Sequence, residues 1–413
     1  MVRVPSSTWR AVLRGNVLAV GVVSFFTDCS SEMIYPLLPA FMTGLVPLGS
    51  AAVWVGLMEG VAESTASLLK LVSGRVSDAL GRRKALVVVG YGLSTVCRPM
   101  MAAAGAAWHV VGFRFADRIG KGIRTSPRDA IVSDSVDPAH RGLAFSFHRA
   151  MDHAGAVLGP LVASAILWGF LGRAMWGGGA SVAPGELHAL RWLFAIALIP
   201  GLVAMGWLVA GLREVPPARA GAASRGGGWR DLPPRLHGFV AVVTVFALGN
   251  SSDLFLLLYG QVRFGLGMGA AMALWVALHL SKIAFSFPGG IVSDRFGRRR
   301  VIVAGWAVYA LVYLGMARAT AAWQYCALFV AYGAYYGLTE GAEKALVADY
   351  VPSERRGTAY GLYHGAIGFA ALPASLLFGW IFTSAGPTAA FSAGAGLAGL
   401  AAVLMPFVPR GER

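Results

Sequence analysis

The sequence predicts an all-α integral membrane protein of about twelve transmembrane helices, arranged as two related six-helix halves. Three observations predict it. Of the 413 residues, 56% are hydrophobic and only 13% charged, too few charges for a soluble chain of this length. The apolar residues come in blocks of about 20, enough to cross a hydrocarbon core as a helix, the form that satisfies its own backbone in lipid. The second half of the chain also repeats polar motifs of the first.

Taken in order, the blocks lie at 15–43, 51–74, 85–106, 108–131, 142–170, 189–212, 237–263, 268–290, 301–319, 322–348, 357–382 and 386–408. The net charge of +15 follows topology. With the N-terminus cytoplasmic, about twenty Lys and Arg fall in cytoplasmic loops and only three or four outside, the positive-inside pattern. Both termini are then expected in the cytoplasm. Arg3, Arg10 and Arg14 precede the first span, and Arg219, Arg225, Arg230 and Arg235 lie in the middle loop. No basic stretch carries interleaved aromatics, so nucleic acid is not an expected partner. Residues 213–236, rich in Pro, Gly and Arg, read as a linker between an N-terminal half at 1–212 and a C-terminal half at 237–413.

The halves match in detail. Gly74, Asp78, Gly81, Arg82, Arg83 and Lys84 recur as Gly290, Asp294, Gly297, Arg298, Arg299 and Arg300. Asp134 and Arg141 recur as Asp349 and Arg356, and Ser30-Ser31-Glu32 as Ser251-Ser252-Asp253. The Gly-x-x-x-Asp-x-x-Gly-Arg-Arg-Lys loop after the second span, with its echo after the eighth, resembles the signature of the major facilitator superfamily, and the resemblance covers the whole chain. It implies the major facilitator fold and alternating access. The loop's acids and bases are expected to pair across helix ends in one conformation and part in the other.

Finer motifs resemble the drug/proton antiporter branch. Pro36 and Pro39 are similar to its Pro-x-x-Pro, and Arg118, Lys121 and Gly122 to its Arg-x-x-Gln-Gly, with Lys121 at the Gln position. Gly155, Gly159 and Pro160 are similar to its Gly-x-x-x-Gly-Pro antiporter motif. Arg124-Thr-Ser126 in the fourth span and Val162 to Ser164 in the fifth depart from that pattern.

An ionisable residue at membrane depth costs several kcal/mol unless paired or wetted, so each is a candidate for function. Asp28 and Glu32 lie one turn apart on the first span, and burial favours a carboxyl that can take up a proton. They are the expected proton-coupling pair, joined by His148 and Asp152 of the fifth span and by Asp253, the counterpart of Glu32. In the fourth span Arg114, Asp117, Arg118, Lys121, Arg124 and Arg128 fall on one face. Arg118, Lys121 and Arg124, with Tyr35 and Glu340, are the expected substrate contacts. Glu59, Glu63 and Lys70 read as helix-to-helix pairing, and Glu340 with Lys344 as a pair within one helix.

Cys29, Cys97 and Cys326 lie far apart, with neither disulfide nor metal-site spacing. No catalytic motif is present, so an enzyme is not expected. The leading expectation is proton-coupled efflux of an amphipathic small molecule. The alternative is a proton-coupled importer of an anionic metabolite or metal chelate. Either is expected to work as a monomer in a lipid bilayer, the bacterial inner membrane on the sequence's compactness, with the proton gradient as energy source and no cofactor.

Overall fold

Tyr35–Leu37, a single turn of 3₁₀ helix, splits the first span into Gly15–Glu32 and Leu38–Thr43, because Pro36 and Pro39 remove two backbone donors. Together they form α1 in the computed structural model, which describes residues 12–172, 182–215, 228–251, 253–266 and 268–409. Ser252 and six of the basic residues counted for topology (Arg3, Arg10, Arg219, Arg225, Arg410 and Arg413) lie outside the described residues.

The remaining spans are α2 (Leu48–Leu80), α3 (Arg83–Ala103), α4 (Ala107–Asp134), α5 (Arg141–Leu171) and α6 (Pro184–Gly211) in the first half. In the second half α7 is Pro234–Gly249 followed by Asp253–Phe264, α8 is Met268–Phe296 and α9 is Arg298–Arg318. Then come α10 (Ala322–Tyr350), α11 (Arg356–Ser384) and α12 (Pro387–Leu404). Eight of the described helical stretches are long and apolar enough to cross a membrane, while α2, α4 and α10 are more polar and α7 is interrupted. The sequence read α7 as continuous over 237–263; Asn250 is extended instead, and the helix restarts at Asp253.

Several helices outrun their apolar blocks. The second span, expected at 51–74, runs to Leu80 and stops at Gly81, whose φ of +61° is the left-handed C-cap that glycine adopts without strain. Gly297, φ +96°, makes the matching turn between α8 and α9. The arginine-rich end of the bundle therefore consists of helix ends projecting past the apolar slab.

There the two halves interlock. Asp78 at the end of α2 accepts hydrogen bonds from the first backbone N–H groups of α11, Gly357 at 3.1 Å and Thr358 at 2.7 Å, and from the Thr358 hydroxyl at 2.9 Å. Asp294 at the end of α8 accepts from Gly142 at 2.9 Å and Leu143 at 2.8 Å at the start of α5. Each acid thus sits on a helix N-terminus of the opposite half, where the dipole and free donors favour an anion. Gly74 and Gly357 make this approach feasible, since a Cβ on Gly74 would fall on the Gly357 carbonyl. Arg83, fully buried, bonds Asp78, Asp134 and the Ser353 carbonyl, and Arg356 also meets Asp134. Arg141 and Arg298 converge on Asp349 in the same way. Arg82 is exposed.

The apolar core shows the same asymmetry. One cluster draws buried residues from both halves, Val17, Phe145 and Phe147 with Tyr332 and Tyr360 among them. The other, built on Met33, Phe41, Met101 and Phe194, belongs to the first half alone and lies toward the opposite end. The halves share a core at the arginine-rich end and not at the far one.

Candidate functional site

α4 carries most of the charge, and its neighbours decide where each charge goes. Gly90 of α3 and Gly120 of α4 pack backbone to backbone. Arg124 therefore reaches across to the Ser94 hydroxyl at 2.6 Å and stacks 4.3 Å above the Tyr91 ring, with no carboxylate within ion-pair distance among the described residues. Arg114 turns toward α2 and meets Glu59 at 3.4 Å, lying 4.5 Å over the Tyr35 ring, whose hydroxyl donates to the same Glu59. Arg118 meets Glu63 at 3.5 Å. Asp117 meets Arg98 of α3 at 3.1 Å and keeps a longer contact, 3.6 Å, with Arg114 of its own helix. The row expected as one basic surface is thus divided among three helices.

The antiporter-like glycines press α5 onto α1. A Cβ on Gly155 would lie 3.1 Å from the Asp28 Cβ, and one on Gly159 2.8 Å from the Glu32 Cβ. Asp28 and Glu32 consequently face the bundle axis beside α5. Among the described residues neither carboxylate has a cation within 4 Å or a side-chain hydrogen bond, and Lys121 and Lys70 in turn have no carboxylate within 4 Å and donate no side-chain hydrogen bond.

The remaining charges bind the halves together across that axis. Arg149 of α5 donates to both oxygens of Glu340 on α10, at 2.6 and 2.7 Å, and to Asp152 at 2.7 Å. His153 meets Glu340 at 3.3 Å and His279 of α8 at 3.2 Å. Asp129 of α4 holds Lys344 of α10 at 3.0 Å and His364 of α11 at 2.8 Å. The pairing of Glu340 with Lys344 within one helix, expected from their spacing, does not form: each is claimed by a stronger partner on the opposite half. His148 bonds Ser24 at 2.8 Å, with Asp152 at 3.7 Å. Asp253 is held by Lys282 at 3.2 Å and by the Tyr332 and Tyr336 hydroxyls at 3.1 Å.

Two cavities open among these groups. One of about 310 Å³ is lined by Glu32, Tyr35, Arg98, Arg114, Arg118, His279 and Lys282. The other, of about 290 Å³, is lined by Lys70, Tyr91, Arg128, Lys344, Tyr363 and His364. Asp28, Lys121, Arg124, Arg149, Asp152 and Glu340 line both. Of the ten Lys and Arg side chains around the two cavities, Lys70, Lys121 and Arg124 have no carboxylate partner among the described residues. A chamber of this kind can bind a small polar solute and exchange protons with it. No cluster of His, Cys, Asp and Glu able to hold a metal occurs among the described residues.

The sequence-predicted residues Asp28, Glu32, Asp152, Tyr35, Arg118, Lys121, Arg124 and Glu340 meet at these cavities, while His148 packs behind Asp152 and Asp253 behind Lys282. Arg98, Asp129 and His364 were missed. Each is an ionisable residue inside an apolar block, and that alone was the available signal.

Comparison with known proteins agrees with this architecture. A family model described as Major Facilitator Superfamily matches residues 20–281 and 276–413. An MFS-type transporter of Methanocaldococcus jannaschii is 32% identical over 401 residues, covering 96% of this chain and 95% of that one. The class C tetracycline resistance protein of Escherichia coli is 26% identical over 336 residues, 80% of each chain. Among solved structures, the human organic anion transporter MFSD10 superposes with a TM-score of 0.79 at 17% identity, over 98% of this chain and 100% of that one. The E. coli fucose:proton symporter FucP gives 0.74 at 14%, over 96% and 98%. With repeated halves, interlocking helix ends and a family model matching nearly its whole length, this chain belongs to the Major Facilitator Superfamily and is a multi-pass membrane transporter, not an enzyme.

Proposed function

We propose that this transporter carries a small anionic solute together with protons, by alternating access through the two central cavities. The observation that carries the reading is a mismatch of charges. Lys70, Lys121 and Arg124 face the cavities without a carboxylate, and Asp28 and Glu32 face them without a cation within 4 Å. While both acids are ionised, they offset the free cations at longer range. Once they take protons, the cations are left uncompensated in a site of low dielectric, and an anion is the ligand that restores balance. Proton and anion binding then assist each other, which is the thermodynamic signature of symport.

The positive-inside bias supports placing the arginine-rich end in the cytoplasm. On that orientation the described arrangement is closed inward, solute and protons enter from outside, and parting of the Asp78 and Asp294 contacts releases them. The bacterial inner membrane, a monomer and the proton gradient as energy source belong to the same reading.

Efflux of an amphipathic compound, ranked first by the sequence, is the second reading. It is favoured by the Gly155–Gly159–Pro160 packing against α1 and by the name of the tetracycline resistance relative. The polar, cation-rich lining favours the anion. The deciding experiment is proton flux in proteoliposomes with an internal pH dye, as organic anions or lipophilic cations are added outside. Internal acidification driven by anions supports the proposal. Internal alkalinisation driven by cations, as protons leave in exchange for the entering compound, would replace it with the exporter.

A further inference from the structure

Glu343 is buried in the middle of the second half, on the turn of α10 between Glu340 and Lys344. Its two oxygens accept from neutral donors, the indole N–H of Trp306 on α9 at 3.2 Å and the hydroxyl of Tyr363 on α11 at 2.6 Å. No Lys, Arg or His lies within ion-pair distance among the described residues. The titratable and charged groups around it are Tyr363 from α11 and Tyr335 and Glu340 from α10 itself; α9 presents only Trp306. Phe246 of α7 stacks on Trp306 and Phe239 of α7 on Tyr363, sealing the group in aromatic surroundings. Every other carboxylate described inside the second half has a basic partner, Asp253 with Lys282 and Glu340 with Arg149.

A buried carboxylate without a cation is expensive, and a buried neutral carboxyl facing two donors forgoes hydrogen bonding. A group balanced between these penalties can exist in either form. It also has a route to water, since Tyr363 lines the 290 Å³ cavity. We infer that Glu343 is a proton-carrying site of the second half, loaded from the central cavity through the Tyr363 hydroxyl. In that step the Tyr363 proton passes to the Glu343 carboxylate while the phenol oxygen accepts a proton from a hydronium ion in the cavity, which is left as water, so Tyr363 ends unchanged. The site stands on the same helical turn as Glu340 and Lys344, which reach Arg149 and Asp129 of the first half, so its charge acts on both links between the halves.

The test needs no knowledge of the solute. Infrared difference spectra of the purified protein in lipid nanodiscs, titrated from acid to alkaline pH, report the carbonyl stretch of a protonated carboxyl. Among the carboxyl bands that wild type loses on alkalinisation, one should be missing from E343Q yet still present in D28N and in E32Q, which separates it from the bands of the cavity acids. In Y363F the band should persist, but its response to a pH jump should slow by on the order of 100-fold. A difference spectrum in E343Q identical to wild type would overturn the assignment. Should E343Q fail to assemble, Y363F still decides: an unchanged band and unchanged rate would equally overturn it.

Discussion

Replacing Arg149 with methionine should release the closed arrangement at the arginine-rich end. Arg149 is the sole cation in ion-pair contact with Asp152, apart from His148, and shares Glu340 only with His153 among the described residues. Removing one partner of a fully buried pair costs about 3–5 kcal/mol. Here Arg149 and Glu340 are 24% and 21% exposed, and Glu340 retains His153, so about 2–3 kcal/mol is a fair expectation. That is a factor of about 30 to 140 in an equilibrium constant. If the described state starts at about 99:1 over the alternative, the ratio falls to between about 3:1 and 0.7:1. Spin labels at Arg82 and Arg295, exposed residues on opposite halves at that end, would read the change as a new, longer distance population. Cys29, Cys97 and Cys326 must first be replaced. Arg191, which bonds the Ala102 and Ala104 carbonyls within the first half, is the control, and R191M should leave the distances alone. An unchanged distribution in R149M would refute the idea that this pair holds the halves together.

The remaining expectations concern the same machinery. Gly74→Val places a branched side chain against the Gly357 backbone and should favour the inward-open state by about 1–3 kcal/mol, seen as faster alkylation of a cysteine placed at Ser77; unchanged labelling would count against the glycine contact as a determinant of closure. Asp28→Asn or Glu32→Gln should abolish proton-coupled movement while the protein still inserts, and wild-type flux in both would remove these acids from coupling. Lys121→Met or Lys70→Met should weaken binding of organic anions about tenfold or more, with little effect on cations; equal effects on both would take the lysines out of the site.

How much was legible in sequence follows from which forces act locally. Most spans announce themselves because hydrocarbon demands about 20 apolar residues in a row, and the two end contacts because Asp78 and Asp294 recur in matching motifs. The break in α7 at Asn250 was hidden, since apolar residues continue on both sides of it. Glu340 and Lys344 misled for a related reason: spacing within a helix shows which side chains can meet, whereas competition from Arg149 and Asp129 on other helices decides which do. Glu59 and Glu63 do pair helix to helix, with Arg114 and Arg118 of α4, whereas Lys70, read the same way, has no carboxylate within ion-pair distance among the described residues. The cavities, lined by side chains of eight helices at once, have no local trace.

The Asp78 and Asp294 contacts are reciprocal. Each half offers one acid and receives one, and what each receives is bound by main-chain N–H groups, with one hydroxyl added at Thr358. The arrangement is that of an isologous dimer written into a single polypeptide. Two separate copies of a half-length ancestor could have closed upon each other with the same pair of contacts before any fusion joined them. Because both latches use main-chain N–H groups, what each asks of the first turn of α5 or α11 is a helical backbone and a glycine, Gly142 or Gly357, small enough to let the acid-bearing helix approach.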